Sequence, residues 1–173
     1  LAKENPVDAD IVIGVPDSSL SSAIGYSVQS KIPYKIGLIK NRYIARTFIQ
    51  PDNSDRKKMV SLKFNALPSV LKGKKVVVVD DSIVRGNTAG PLVQLIRDAG
   101  AKEVHLRISS PPVKHPCYMG VNISKNDNLI ASNKNLKQME EFFNVDSLNF
   151  LSIERIKSVM KDYNNCDACF TGN

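Results

Sequence analysis

The stretch "KKVVVVDDSIVRGNT", residues 74–88, decides how the rest of the chain is read. Val76 to Val79 are four β-branched residues bounded by charges, too short a run for a helix and apolar on both faces of a pleat. Such a run predicts a central strand covered on both sides, as in a parallel sheet with helices on each face. Two carboxylates, Asp80 and Asp81, follow at the strand's carboxyl end, where an open parallel sheet has its ligand crevice. The next residues, Ser82 to Thr88, have the ingredients of a phosphate cradle. Gly86 permits a tight bend, Ser82 and Thr88 offer hydroxyls, and the helix that follows presents free amides and the positive end of its dipole.

Carboxylates beside a phosphate site repel an anion unless a cation or a hydroxyl-rich group lies between them. A sugar phosphate with Mg²⁺ satisfies both halves. The stretch is not a Walker loop, which needs G-x-x-x-x-G-K-[ST], nor a dinucleotide fingerprint, which needs G-x-G-x-x-G. The plain alternative is a pair of solvated strand-end charges capping a turn. The valine strand and the Ser, Gly and Thr loop together favour a site.

Outward from this centre, "ADIVIGVPDSS" predicts a strand over Ile11 to Val15, stopped by Pro16. Ser18 and Ser19 are candidate N-caps of a helix running to about Ser30. "KIPYKIGLIKNR" predicts a second strand around Lys35 to Ile39, and "NRYIARTFIQPDNSDRKK" a long exposed loop of the kind that forms lids. Met59, Val60, Phe64 and Leu67 have helical spacing. Leu92, Leu95, Ile96 and Ala99 form an apolar stripe closed by Gly100 at the C-cap, and "KEVHLRIS" is the next strand. Strand, helix and strand in that order imply a right-handed crossover and parallel pairing. "LKQMEEFF" and "SIERIKSVMKDY" read as helices around a short strand at Leu148 to Leu151. The sequence contains no internal repeat and no low-complexity tract.

The 173 residues, 42% of them hydrophobic, suit one compact domain with its own core. No signal-peptide pattern opens the sequence, and no run approaches the roughly 18 apolar residues of a membrane span. A cytoplasmic chain with no membrane partner is expected, as a piece of a longer protein. Lys plus Arg exceed Asp plus Glu by 24 to 17, a net charge of +7 that suits an anionic partner. Aromatics at 6%, no Trp and no continuous basic stripe argue against nucleic acid and for a small phosphorylated substrate. Cys117, Cys166 and Cys169 are too few for a disulfide scaffold. The last two form a C-x-x-C that can share a metal or consist of inert thiols.

"VVVVDDSIVRGNT" resembles the phosphoribosyl pyrophosphate (PRPP) motif of type I phosphoribosyltransferases, with "DDSIVRG" in the form typical of the amidophosphoribosyltransferase family. The likeness continues through "DADIVIGVPDSS", "KNRYIARTFI", "AGAKEVHLRISSPP" and "CDACFTG", nearly the whole chain in the family's order. The resemblance implies an α/β fold of the type I phosphoribosyltransferase kind, a central mostly parallel sheet flanked by helices. It implies one domain over 1–173, in which 112–173 is a helical, cysteine-bearing C-terminal part, with the family's N-terminal glutaminase domain absent.

It also implies Mg²⁺-dependent attack of ammonia on PRPP, giving 5-phosphoribosylamine and pyrophosphate. Asp80 and Asp81 would meet the ribose hydroxyls and, with Ser18, the Mg²⁺. Asp17 and Ser18 would complete the pyrophosphate end, and Ser82, Ile83, Val84, Arg85, Gly86, Asn87 and Thr88 would hold the 5'-phosphate. Lys40, Arg42, Tyr43 and Arg46 would form a lid over pyrophosphate, with Lys40, Tyr43 and Arg46 the foremost candidates. Two positions depart from the family's usual pattern: Ser19 stands where Gly is common after "VPDS", and Asn87 where Thr is common. Asn tolerates unusual backbone angles and still donates a hydrogen bond, so the cradle is expected to survive.

Some branches of the family carry a structural 4Fe-4S cluster, and Cys117, Cys166 and Cys169 stand at the places of three ligands, the fourth lying outside this chain; His115 is a candidate substitute. A homo-oligomer is implied for the full-length protein. Two other readings share the loop: a nucleobase phosphoribosyltransferase and a non-catalytic PRPP-binding regulator.

Overall fold

A computed structural model describes residues 1–43, 60, 62–117, 119, 129–160 and 165–172. Four strands form a wholly parallel sheet: β1 (Ile11–Gly14), β4 (Lys75–Asp80), β5 (Glu103–Ile108) and β6 (Ser147–Phe150), in the order β1-β4-β5-β6. The α/β reading therefore holds, and so do both valine faces. Val76 to Val79 are each 0% exposed. Val76 and Val78 pack with Ile11, Ile13, Leu92 and Ile96, while Val77 and Val79 pack with Val12, Ala23 and Tyr26 on the opposite face.

Helix α1 (Leu20–Ser30) supplies Ala23 and Tyr26 to one face. The other is covered by α3 (Ala89–Asp98), through Leu92, Val93 and Ile96, and by α5 (Leu136–Phe143), through Met139 and Phe143. Between β4 and β5, α3 makes the expected crossover and Gly100 follows it at φ 93°. Helix α5 opens on a full capping box: Asn135 Oδ1 accepts from the Gln138 amide at 2.9 Å and Gln138 Oε1 from the Asn135 amide at 2.9 Å.

The second strand forms differently from the expectation. Only a bridge between Val12 and Tyr34 extends the main sheet there, with the Val12 amide donating to Pro33 O at 3.0 Å and the Lys35 amide to Val12 O at 2.9 Å. Pro33 has no amide of its own to continue the ladder. The chain then leaves the sheet, and β2 (Leu38–Lys40) pairs antiparallel with β3 (Phe64–Ala66) in a separate two-stranded sheet. That pairing also corrects the predicted helix through Phe64 and Leu67. Val60, Leu62 and Lys63 are helical, in keeping with the spacing, but Phe64, 3% exposed, belongs to a strand and joins the main core, and helical backbone resumes in the single turn α2 (Pro68–Leu71). Tertiary pairing overrides the local apolar spacing here.

Three further elements complete the described residues: α4 (Ile130–Asn133), α6 (Ile153–Val159) and α7 (Ala168–Thr171). Neither α4 nor α7, each a single turn, is signalled by the local sequence pattern. The N-terminal residues are tied down by Glu4, which accepts from the Ser152 hydroxyl at 2.5 Å, and by Asn5, whose carbonyl accepts from Tyr26 Oη at 2.9 Å and buried Arg107 Nε at 3.2 Å. No described helix is long and apolar enough to cross a membrane.

The approach of α1 to the end of β1 depends on Gly14. A Cβ there would lie 2.9 Å from Ala23 Cβ and 3.2 Å from the Ser19 carbonyl oxygen. Both neighbours are fixed, one in the core and one in the backbone. Gly14→Ala is expected to lower stability by roughly 1–3 kcal/mol, read as a lower urea midpoint with unchanged slope; an unchanged midpoint would show that α1 yields at no cost.

Candidate functional site

The carboxyl ends of β1 and β4 lie side by side, and the predicted site residues gather there. Asp80 is the last residue of β4 and is only 8% exposed. Its Oδ1 accepts two hydrogen bonds, from Ser19 Oγ at 2.9 Å and from the Asp81 amide at 2.9 Å. Burial is the largest influence on its acidity and pushes its pKa up to about 6, against those two bonds. Asp81 is exposed and accepts from Ser82 Oγ at 3.1 Å. The end of β5 braces the pair: the Ser109 amide and hydroxyl donate to Asp80 O at 2.9 and 3.1 Å.

The loop after Asp81 is strung between two core residues, Ile83 (3% exposed) and Ala89 (4% exposed). Val84 O accepts from the Ile130 amide at 3.1 Å. Gly86 has φ 76° and lies on the Phe143 ring, so a Cβ there would come within 2.8 Å of two ring carbons. Both facts require glycine. With its floor fixed, the loop presents Asn87 and Thr88 to solvent at the amino end of α3. Thr88 occupies the N-cap position without spending its hydroxyl on the helix backbone, which leaves that exposed hydroxyl available beside the first amides of α3.

Across the crevice, Pro16, Asp17 and Ser18 form the turn after β1, with a cis peptide between Pro16 and Asp17. Asp17 and Ser18 are exposed. Lys40 Nζ donates to Asp17 Oδ2 at 2.7 Å, and this contact holds the Asp17 carboxyl below the usual range. A cleft of about 220 Å³ opens beside the pair, lined by Pro16, Leu20, Tyr34, Ile36 and Arg42 among others. Tyr43 is fully exposed. Arg46 and the rest of the predicted lid lie outside the described residues.

One expectation is corrected and one gap appears. Ser19 holds the N-cap position of α1 but makes no side-chain capping bond; its hydroxyl, 0% exposed, goes to Asp80 instead. Ile130 and Phe143, which shape the loop from below, carry no functional signal in the sequence: Phe143 falls in the apolar stripe of "LKQMEEFF" and Ile130 in no predicted element.

The three cysteines share a neighbourhood. The Lys114 and His115 amides donate to Cys169 O at 2.9 and 3.0 Å, and the Cys169 thiol is pushed up first by burial and then by the Cys117 thiol. Among the described residues, however, no three His, Cys, Asp or Glu side chains are grouped so as to hold a metal ion.

Comparison with known proteins now bears on this geometry. A family model described as Phosphoribosyl transferase domain matches residues 3–128. The chain belongs to the phosphoribosyl transferase domain family. Its relatives include amidophosphoribosyltransferases from Bacillus subtilis, 49% identical over 99% of this chain and 37% of that protein, and from Synechocystis, 52% identical over 99% of this chain and 35% of that protein. A solved structure of glutamine PRPP amidotransferase from B. subtilis, complexed with ADP and GMP, superposes with a TM-score of 0.87 at 49% identity, over 99% of this chain and 39% of that one. The chain thus has the type I phosphoribosyltransferase fold and spans little more than a third of the relatives it matches.

The donor set at the crevice fits the hydroxyls of a sugar and a hard divalent cation. No buried side-chain oxygen among the described residues lacks a partner, so Asp80 Oδ2, which receives no donor, keeps solvent-accessible surface and is free to meet a ligand. Exposed Asp81 and Ser18 add hard oxygen atoms nearby.

The raised Asp80 pKa carries a stability consequence. The native state binds a proton that the unfolded chain has released between pH 4 and pH 6, so stability falls as pH rises through that window and stays lower above it. Asp80→Asn removes the charge while leaving an oxygen for Ser19 and the Asp81 amide. In metal-free buffer the variant is expected to be more stable than the parent by about 3 kcal/mol at pH 8, a difference that vanishes near pH 4. Equal urea midpoints at pH 8 would show that burial costs Asp80 nothing.

Proposed function

We propose that this chain carries out the transfer step of an amidophosphoribosyltransferase: attack of ammonia on PRPP, giving 5-phosphoribosylamine and pyrophosphate, with ammonia supplied from glutamine elsewhere in a longer protein. One observation carries the reading. The Asp80–Asp81 pair, the 82–88 loop and the 16–19 turn converge at the carboxyl ends of two adjacent parallel strands.

In this reading the amides and hydroxyls of residues 82–88 take the 5'-phosphate, and Asp80 and Asp81 accept the ribose hydroxyls. Pyrophosphate lies against Ser18 and the turn, within reach of Lys40. The nitrogen lone pair forms a bond to the anomeric carbon as the bond to pyrophosphate oxygen breaks and its electrons leave with that group; the new ammonium then loses a proton to solvent. Positive charge develops on the sugar ring as negative charge grows on pyrophosphate, so the carboxylates stabilise the first and Lys40 the second. Mg²⁺, for which Ser18, Asp80 and Asp81 are the candidate ligands, would neutralise the leaving group when bound. The cysteines take no part in any step.

The test is pyrophosphate release from PRPP and Mg²⁺, with ammonium chloride as the only amine. Turnover is expected from this chain, and a loss of at least 100-fold in the Asp80→Asn, Asp81→Asn variant; glutamine in place of ammonium should support none. Ammonia-independent turnover that responds to an added nucleobase would overturn the reading in favour of a nucleobase transferase. PRPP binding without turnover under any amine would favour a regulator.

A further inference from the structure

The turn after β1 and the end of β4 border the crevice, and a side-chain hydrogen bond joins them. Ser19 belongs to the turn after β1, Asp80 to the end of β4, 61 residues away, and the Ser19 hydroxyl donates to Asp80 Oδ1 at 2.9 Å. Ser19 is 0% exposed, so no water competes for that bond. Its backbone is equally committed: the Ser19 amide donates to Val15 O at 3.2 Å, and its carbonyl accepts from the Ala23 amide at 2.9 Å. The serine is fixed before its hydroxyl is directed. With Oδ1 engaged by Ser19 and by the Asp81 amide, the Asp80 carboxylate cannot rotate without breaking two bonds at once. Its other oxygen is thereby held in one orientation.

We infer that Ser19 is a positioning residue of the transfer site. It sets the orientation of the Asp80 carboxylate and locks the 16–19 turn to the strand-end pair, so that both ends of a substrate spanning the crevice meet a preset spacing. The inference rests on the proposed function. Helix capping would not require the same arrangement, since the hydroxyl that occupies the N-cap position of α1 turns away from the helix.

The consequence differs from that of a residue needed only for folding. A folding residue changes the active fraction, which scales apparent kcat and leaves KM alone. A residue that orients a ligand-binding carboxylate changes KM for the ligand. Ser19→Ala is therefore expected to raise KM for PRPP about tenfold in the ammonia-dependent assay, with a melting temperature within a few degrees of the parent. Should Ser19→Ala not fold, Ser19→Cys fills the same buried space with a far weaker donor and is expected to show the rise. A parent that turns over while the folded variant keeps its KM overturns the role of Ser19 and leaves the proposed function standing. A parent with neither turnover nor Mg²⁺-dependent PRPP binding overturns both.

Discussion

The burial of β4 on both faces is the constraint on which everything at the crevice depends. Four valines with no exposed surface hold the strand in place from two sides, each contributing about 1.5 kcal/mol or more. That burial fixes the height at which the strand ends, and so places Asp80 half inside the core rather than beyond it. The ionised carboxylate then costs free energy comparable to what two of those valines supply. The cost is tolerated because both donors to Oδ1 are fixed in place: the backbone amide of Asp81 and the buried hydroxyl of Ser19 at the start of α1. A charge kept at some expense at the mouth of a crevice marks a position selected for something other than stability.

The 82–88 loop depends on the same core through different residues. Ile83 and Ala89 anchor its two ends, the Ile130 amide ties Val84, and the Phe143 ring allows only glycine at residue 86. The loop's donors are therefore set before any ligand arrives, which is what makes fixed dipoles effective against charge. Residues after 129, distant in sequence, form the floor of the loop, and β6 completes the same sheet. The C-terminal part is structurally continuous with the site it supports.

What was legible in the sequence follows from range. β4, α3 and β5 were readable because each is specified by its own periodicity, and Asp80, Asp81 and the loop because their chemistry is contiguous. The pairing of β2 with β3 joins segments about 25 residues apart, and no local period announces it; Phe64 fits a helical stripe as well as a strand until its partner is known. Likewise, Ser19 read as a cap or as a disturbance of the turn, since its actual partner lies 61 residues on. Of the predicted lid, Lys40 stands at the crevice, while Arg46 lies outside the described residues.

Several of the cations behind the net charge that first suggested an anionic partner are paired with carboxylates. Lys40 pairs with Asp17 at the crevice itself, while Lys75 pairs with Asp8 and Glu103, Arg97 with Asp146, and Lys157 with Asp167 away from it. Arg107 is buried on carbonyl and hydroxyl oxygens. In the proposed function a phosphate at the loop would draw on the first amides of α3 and the exposed Thr88 hydroxyl, a short-range field that bulk charge does not measure. Such a cradle can stand beside two carboxylates because its dipoles act over a few ångströms, and a sugar with its cation fills the gap between the two. Under the proposed function the site would favour a molecule that is anionic at its ends and hydroxylated in its middle, since a simple polyanion would meet Asp80 and Asp81 unshielded.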